Sequence, residues 1–179
     1  MNKLAQLYIK RVYEGKDYVY FKNKCKQVPL YLEELIELAS SMCIKIDTYC
    51  TEDDPAVQIW FYFEGYTEDR FNAEYRTLLK ISKVANLFVF QHEFGVENRD
   101  PNKMVPILDG FSEEAYVFSQ NKLEATLTDF LENKNLVKLQ LRELEEVVMN
   151  FEIPEEGIFG SQMTLENALF RDLYGICEI

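Results

Sequence analysis

The chain has 179 residues, of which 47% are hydrophobic and 14% aromatic, so it is long enough to bury a substantial core. We expect a single α+β domain over residues 1–179. No apolar run is long enough to cross a bilayer and the first residues lack the pattern of a secretory signal, so we expect a cytoplasmic protein without a membrane partner.

The charge of the chain is strongly negative and unevenly distributed. The formal net charge is −12, made up of +5 in residues 1–26, −8 in residues 27–112 and −9 in residues 113–179. A negative field repels phosphate groups and attracts Lys and Arg. The composition therefore favours a basic protein partner and argues against a nucleic-acid partner.

The four cysteines and the single histidine do not form a metal motif. Cys25, Cys43, Cys50 and Cys177 lack the paired spacing of zinc ligands. We interpret them as reduced thiols and expect neither a metal nor another cofactor.

The N-terminal segment fits two patterns. Leu4, Leu7, Tyr8 and Val12 have the spacing of a helix, whereas residues 8–21 also fit a β-hairpin that turns at residues 14–17. We favour the hairpin, with a strand over residues 17–23. Pro29 then begins a helix whose apolar stripe includes Leu32, Leu35, Ile36 and Ala39.

The central segment has the clearest pattern in the chain. A strand is predicted over residues 42–49, and a second over residues 57–64, where apolar and polar side chains alternate. Thr67 is a good helix N-cap, so a helix is predicted over residues 67–85, followed by a strand over residues 87–94. The resulting order is that of a ferredoxin-like split βαβ sandwich over residues 17–94, with an N-terminal β-hairpin strand.

The C-terminal half is predicted to be a mainly helical extension, residues 95–179, packed on the sandwich of residues 1–94. A long loop over residues 95–110 and a short strand over residues 115–118 precede a helix that ends near residues 133–135. Spacings of four and three predict a second helix over residues 137–151, and Thr164 caps a last short helix.

No catalytic motif occurs in the sequence, so we predict no catalytic residues. The alternative is a small hydrolase or transferase that uses His92, the only histidine, with Glu93 or other nearby carboxylates.

Two kinds of surface side chain suggest a protein interface instead. Trp60 and Tyr62 are predicted on the sheet face opposite the helices, and such aromatic residues are common interface anchors. Carboxylates in predicted turns and on helix surfaces accelerate association with a basic protein. The predicted partner interface comprises Glu52, Asp53, Asp54, Trp60, Tyr62, Glu145 and Glu146. A further acidic pair, Glu113 with Glu114, adds to the negative surface.

The combination of size, acidity and aromatic content predicts an acidic, non-enzymatic protein-binding protein. The specific hypothesis is an inhibitor or immunity protein that neutralises a basic partner such as a nuclease toxin domain. Besides the enzyme, a second alternative is a structural subunit of a homo-oligomer joined through the face that carries Trp60.

Overall fold

The computed structural model describes residues 1–100, 102, 107–152 and 162–177. They form an α+β protein with N-terminal helices, a five-stranded antiparallel sheet, a central helix and a small two-stranded sheet. The five strands follow one another as a meander: β1 Lys45–Tyr49, β2 Ala56–Glu68, β3 Phe71–Ser82, β4 Leu87–Asn98 and β5 Ile107–Ser112.

The N-terminal segment is helical, so the favoured hairpin and the strand over residues 17–23 are wrong. Helix α1 (Lys3–Ile9) continues into a π-helical turn and is followed by α2 (Tyr18–Cys25). Asp17 caps α2, because its Oδ1 accepts a hydrogen bond from the Tyr20 amide at 3.1 Å. The buried residues Ala5, Tyr8, Ile9, Val12 and Tyr13 are spaced as on one side of a helix. A strand, whose side chains alternate between two faces, would not place all of them on the same side.

The predicted helix before β1 is confirmed as α3 (Leu32–Ser40), but the helix predicted over residues 67–85 is wrong. Strand β3 occupies that segment and pairs with β2 through a turn in which Asp69 has φ 49°. Leu79 lies opposite Ile59, and Leu78 lies opposite Trp60. Both faces of β3 are buried at this point, so neighbouring leucines that suggested a helical stripe belong to two sheet faces.

The ferredoxin-like arrangement is therefore not the one observed. The strands predicted over residues 57–64 and 87–94 are confirmed within β2 and β4, and the strand predicted over residues 42–49 is confirmed from Lys45 onward as β1. No helix connects β2 to β3 or β3 to β4 in the described chain, so these strands are joined by hairpin connections and run antiparallel. A split βαβ unit requires a crossover helix and a parallel neighbour.

The C-terminal half is less helical than predicted. The helix ending near residues 133–135 is confirmed as α4 (Phe118–Asn133), and the strand predicted over residues 115–118 is a loop leading into it. Residues 137–151 are not one helix but β6 (Val137–Lys138), a 3-10 turn (Leu141–Glu145) and the start of β7 (Val147–Glu152). Strand β8 (Gln162–Thr164) pairs with β7, and Thr164 caps α5 (Leu165–Phe170) as predicted. The loop predicted over residues 95–110 is wrong at both ends, because residues 95–98 continue β4 and residues 107–110 belong to β5. Residues 101 and 103–106 of that prediction lie outside the described residues.

The sheet carries a hydrophobic core on each face. Alternate residues of β2, including Ile59 and Phe61, pack with α3 and α4 on one face, as the alternation predicted. The other face is covered at one end by α1, α2 and α5, which meet residues such as Ala56 and Val89. We call the first the α4 face of the sheet and the second the open face.

Candidate functional site

An open groove lies where β5 leads into α4. It has a volume of about 670 Å³ and is lined by Glu113, Glu114, Ala115, Tyr116, Val117, Phe118, Asn121 and Glu124. We call it the acidic groove.

Gln120 fixes the shape of the acidic groove. Its Nε2 donates to the main-chain oxygens of Arg76 at 2.9 Å and Glu93 at 3.2 Å, which joins α4 to β3 and β4. Its Oε1 accepts hydrogen bonds from the amides of Tyr116 and Val117, which holds the chain just before the helix. The buried side-chain amide thus uses both donor hydrogens and its acceptor oxygen. This arrangement makes the groove a preformed feature of the fold.

Two aromatic side chains give the groove an apolar component. Tyr116 packs edge-on against Phe94, with ring centroids 4.7 Å apart, and remains 40% exposed. Phe118 occupies the first position of α4 and is 92% exposed. Phe118 therefore adds exposed apolar surface at the edge of the groove.

The carboxylates of the groove differ in their availability. Glu113 is partly exposed and Glu114 is exposed, and neither has an ion pair within the described part of the chain, so their charges are not compensated there. Glu124, by contrast, is bound to His92 through Oε2 and to Lys138 through Oε1. The outer part of the groove is therefore free to attract a cation, and its base is electrostatically satisfied.

His92 lies beneath the groove and is completely buried. Its Nδ1 is 2.9 Å from the Thr77 hydroxyl, and its Nε2 is 2.9 Å from Glu124 Oε2. The imidazole also stacks on Phe90 with an interplanar angle of 6°. Both ring nitrogens have a hydrogen-bonding partner and neither reaches solvent. Through its contact with Glu124, His92 connects the sheet to α4.

The predicted pairing of His92 with Glu93 does not occur. Successive strand residues point to opposite faces. His92 accordingly lies on the α4 face, whereas Glu93 lies on the open face and binds Arg76 at 2.6 Å. The carboxylate that contacts His92 comes from α4, 32 residues along the chain, and sequence spacing alone does not indicate it.

Burial by itself raises the pKa of the Glu124 carboxyl. The hydrogen bonds from His92 and Lys138 outweigh this effect and hold that pKa below its ordinary value. Glu124 is therefore an anion at the base of the groove, and its charge is used in holding α4 to β4 and β6.

The aromatic residues predicted as interface anchors lie away from the acidic groove. Trp60 and Tyr62 are half-buried on the open face, as the alternation of β2 predicted. The Arg76 guanidinium carbon is 5.0 Å from the Trp60 ring centroid, and Lys45 Nζ is 4.9 Å from the Tyr62 ring centroid. These cations cover part of each ring, so the rings are less available than their exposure suggests.

The predicted acidic residues of the β1–β2 loop lie beside the end of α5. Glu52 and Asp53 are exposed, and Asp54 is partly buried next to Phe170 and Asp172. Burial raises the pKa of the Asp54 carboxyl and outweighs the hydrogen bond from the Ala56 amide and the positive charge of Lys83, both of which lower it.

The last predicted pair, Glu145 and Glu146, lies at the end of the 3-10 turn. Glu145 is exposed, but the Glu146 carboxylate binds the N-terminal amino group of Met1 at 2.8 Å, and its main-chain oxygen accepts from the Leu165 amide. Within the described ranges, Asp54 Oδ1 accepts a hydrogen bond from the Ala56 amide at the start of β2, but no hydrogen bond or ion pair joins Glu145 or Glu146 to the β1–β2 loop or to Trp60 and Tyr62. Their role as one interface stays a prediction.

The groove residues Tyr116, Phe118 and Gln120 were not identified from the sequence. The sequence predicted a short strand over residues 115–118, and so it did not indicate that α4 begins at Phe118 with an exposed side chain. The one available signal was the acidic pair Glu113–Glu114 directly before these aromatic residues.

Two further observations bear on ligand class. In residues 1–100, 102, 107–152 and 162–177, no three His, Cys, Asp or Glu side chains are grouped so as to hold a metal ion. None of the helices in these ranges combines the length and apolar character needed to cross a membrane.

Comparison of the chain with protein-family models, with curated proteins and with solved structures finds no match.

Proposed function

We propose that this protein is a non-enzymatic, acidic binding protein that engages a basic protein partner through the acidic groove. The observation that carries the proposal is the 92% exposed ring of Phe118 beside the uncompensated carboxylates of Glu113 and Glu114. An exposed aromatic anchor contributes contact energy, and the surrounding negative charge accelerates association and selects against acidic partners.

The partner that we propose is a nuclease toxin domain, so that the protein acts in the cytoplasm as its inhibitor or immunity protein. A protein that binds nucleic acid has a positive surface that contacts phosphates. The surface carboxylates of this protein, whose formal net charge is −12, are complementary to such a positive surface. In this proposal Glu52, Asp53, Asp54, Glu145 and Glu146 increase the long-range attraction, and the acidic groove provides the close contact.

The test is capture of the partner by wild-type protein and by groove variants. Tagged protein is incubated with native cell lysate at low salt and washed at rising salt, and the eluted proteins are identified by mass spectrometry. The decisive variant is Glu113→Lys with Glu114→Lys and Phe118→Ala. Its matched control is Asp129→Lys with Glu132→Lys and Leu30→Ala, which makes the same charge change at exposed positions elsewhere.

We expect wild type and the control variant to capture a basic protein with nuclease activity and to inhibit it. The groove variant should neither capture nor inhibit this protein. Equal retention and inhibition by the groove variant would contradict the role of the groove. A captured partner that is acidic, or whose retention does not depend on salt, would contradict the electrostatic basis of the proposal.

The alternative of a small hydrolase or transferase has one observation in its favour. Thr77, His92 and Glu124 form a hydroxyl, imidazole and carboxylate series of the kind that activates a nucleophile. Thr77 and His92 are both completely buried, however, so a substrate has no contact with either in this structure. Hydrolytic activity that disappears in Thr77→Val, with folding intact by circular dichroism, would favour this alternative.

A further inference from the structure

Strand β5 is the last strand in the order β1 to β5, and in the part of the chain that the structure describes its outer edge has no partner strand. Among the described residues only β4 pairs with β5, over residues 107–112. An edge strand presents main-chain amides and carbonyls that can pair with another chain. The edge of β5 is therefore a place where an extended segment can bind.

The two edges of the sheet differ in their protection. Strand β1 carries Lys45 and Asp47, and charged side chains discourage pairing at an edge. Strand β5 has one charged residue, Asp109, with no lysine and no proline, and it exposes Leu108 and Phe111 by 66% and 65%. Leu108 lies opposite Val96 and Phe111 opposite Glu93, so the two apolar side chains project from different faces. A strand added here would gain apolar contacts on both faces.

The charges around β5 select the kind of segment. Asp109 is exposed within the strand, and Glu113 and Glu114 follow directly after it. Asp109 and Phe111 share the open face, whereas Leu108 lies on the α4 face. An antiparallel segment would therefore place an apolar residue opposite Phe111, a basic residue opposite Asp109 and an apolar residue opposite Leu108.

A second copy of the chain fits this edge less well. Antiparallel self-pairing centred on Asp109 would place two carboxylates directly opposite each other, which is destabilising. Each copy also carries a net charge of −12. Charge complementarity thus selects a basic segment of another protein.

We propose that the outer edge of β5 accepts an extended segment of a partner protein, with the pattern apolar, any residue, Lys or Arg, apolar, as an additional antiparallel strand. This inference rests on the proposed function, because it takes the partner to be basic, and it adds the way in which one segment of that partner binds. Main-chain hydrogen bonds supply the attachment, and Leu108, Asp109 and Phe111 supply the selectivity.

The probe is the synthetic peptide TVTKVTKT, labelled with a fluorophore and mixed with the full-length protein. Its first control, TVPKVPKT, keeps the charges and valines but cannot form strand hydrogen bonds at the prolines. Its second control, TVTEVTET, reverses the charge. Binding is measured by fluorescence anisotropy, and hydrogen–deuterium exchange reports the protection of the amides in residues 107–112.

We expect TVTKVTKT to bind and to slow exchange in residues 107–112, and both control peptides to bind more weakly. Asp109→Lys should weaken binding about fivefold by turning an attractive cross-strand pair into a repulsive one. The matched variant Asp129→Lys, on the exposed surface of α4, should leave the affinity unchanged.

Two results would overturn strand addition. If TVPKVPKT binds as well as TVTKVTKT and residues 107–112 gain no protection, the protein binds basic segments without an added strand, and the proposed function survives alone. If no peptide binds although the groove variant loses a captured partner, the edge of β5 is not the attachment point. The proposed function is contradicted by a different result, namely that the groove variant captures the partner as well as wild type does.

Discussion

His92 Nε2 lies 2.9 Å from Glu124 Oε2, and this contact joins a completely buried strand residue to the central helix. The other carboxylate oxygen of Glu124 binds Lys138 in β6. A single side chain therefore links β4, α4 and β6 directly beneath the acidic groove. Its role is to hold the helix that presents the groove.

We expect Glu124→Gln to destabilise the fold. The amide keeps the volume of the carboxylate but loses its charge, so the hydrogen bonds from His92 and Lys138 weaken. Loss of a charged, mostly buried partner should lower the free energy of unfolding by about 1–3 kcal/mol. Urea denaturation of the variant and of the exposed control Glu132→Gln measures the difference, and equal midpoints for wild type and both variants would contradict this role.

The same contact predicts a pH dependence. Because the pKa of Glu124 is lower in the folded state than its ordinary value of 4.5, ionised Glu124 stabilises the fold. This contribution is complete above the unfolded pKa and is lost as the pH falls through the folded pKa. The stability difference between wild type and Glu124→Gln should therefore be constant above about pH 5.5 and shrink in more acidic buffer. A difference that stays constant in acid would show that the carboxylate charge is not the cause.

Gln120 should tolerate even an isosteric change poorly. Gln120→Glu keeps an acceptor for the amides of Tyr116 and Val117 but removes the donors to the Arg76 and Glu93 carbonyls. A carboxylate facing two carbonyl oxygens should cost about 2–3 kcal/mol of stability. The exposed control Gln27→Glu makes the same chemical change and should leave the thermal midpoint within experimental error. Similar midpoints for the two variants would mean that the groove is not held by this side chain.

Asn135 ends α4 with a left-handed backbone, φ 64°. The Leu136 amide bonds to the Leu131 carbonyl and the Asn135 amide to the Glu132 carbonyl, the two bonds of a Schellman motif. Asn135→Ala should destabilise the protein by about 1 kcal/mol, whereas Asn135→Gly should match or exceed wild type, because only the alanine strains this conformation. Asn133→Ala, inside the helix, is the control. Equal chemical-denaturation midpoints for the Ala and Gly variants of Asn135 would rule out backbone strain as the explanation.

Cys25 should be the least reactive of the thiols that the structure describes. It is completely buried, and burial together with the Cys177 side chain raises its pKa well above the ordinary value, which suppresses the reactive thiolate. Under native conditions iodoacetamide should modify the half-buried Cys43 and Cys50 before Cys25, and in urea all should react alike. Peptide mass spectrometry measures the order, and early modification of Cys25 would contradict its burial.

Local patterns in the sequence correctly indicated several elements. The alternation from Val57 to Glu64 predicted β2 and its inward face, and Thr164 predicted the start of α5. These signals act over a few residues, and the structure keeps them because burial of one face, or satisfaction of one free amide, is decided locally.

The helix predicted over residues 67–85 failed for a different reason. Leu78 and Leu79 are neighbours in sequence, yet both are buried because both faces of the sheet are covered at that point. Whether a run of apolar residues is a helical stripe or a strand buried on two faces depends on what lies on each side, and spacing does not report this.

By itself the sequence determined the negative charge, the alternation of β2, the helices α3, α4 and α5, and the lack of a recognisable catalytic motif. Only the tertiary structure decided that β3 is a strand, that His92 meets Glu124 rather than Glu93, and that Phe118 is exposed beside Glu113 and Glu114. Local hydrogen bonding and burial follow from nearby residues, whereas contacts between elements depend on how the whole chain packs. The candidate site consists of contacts of this second kind, and that is why sequence patterns did not reveal it.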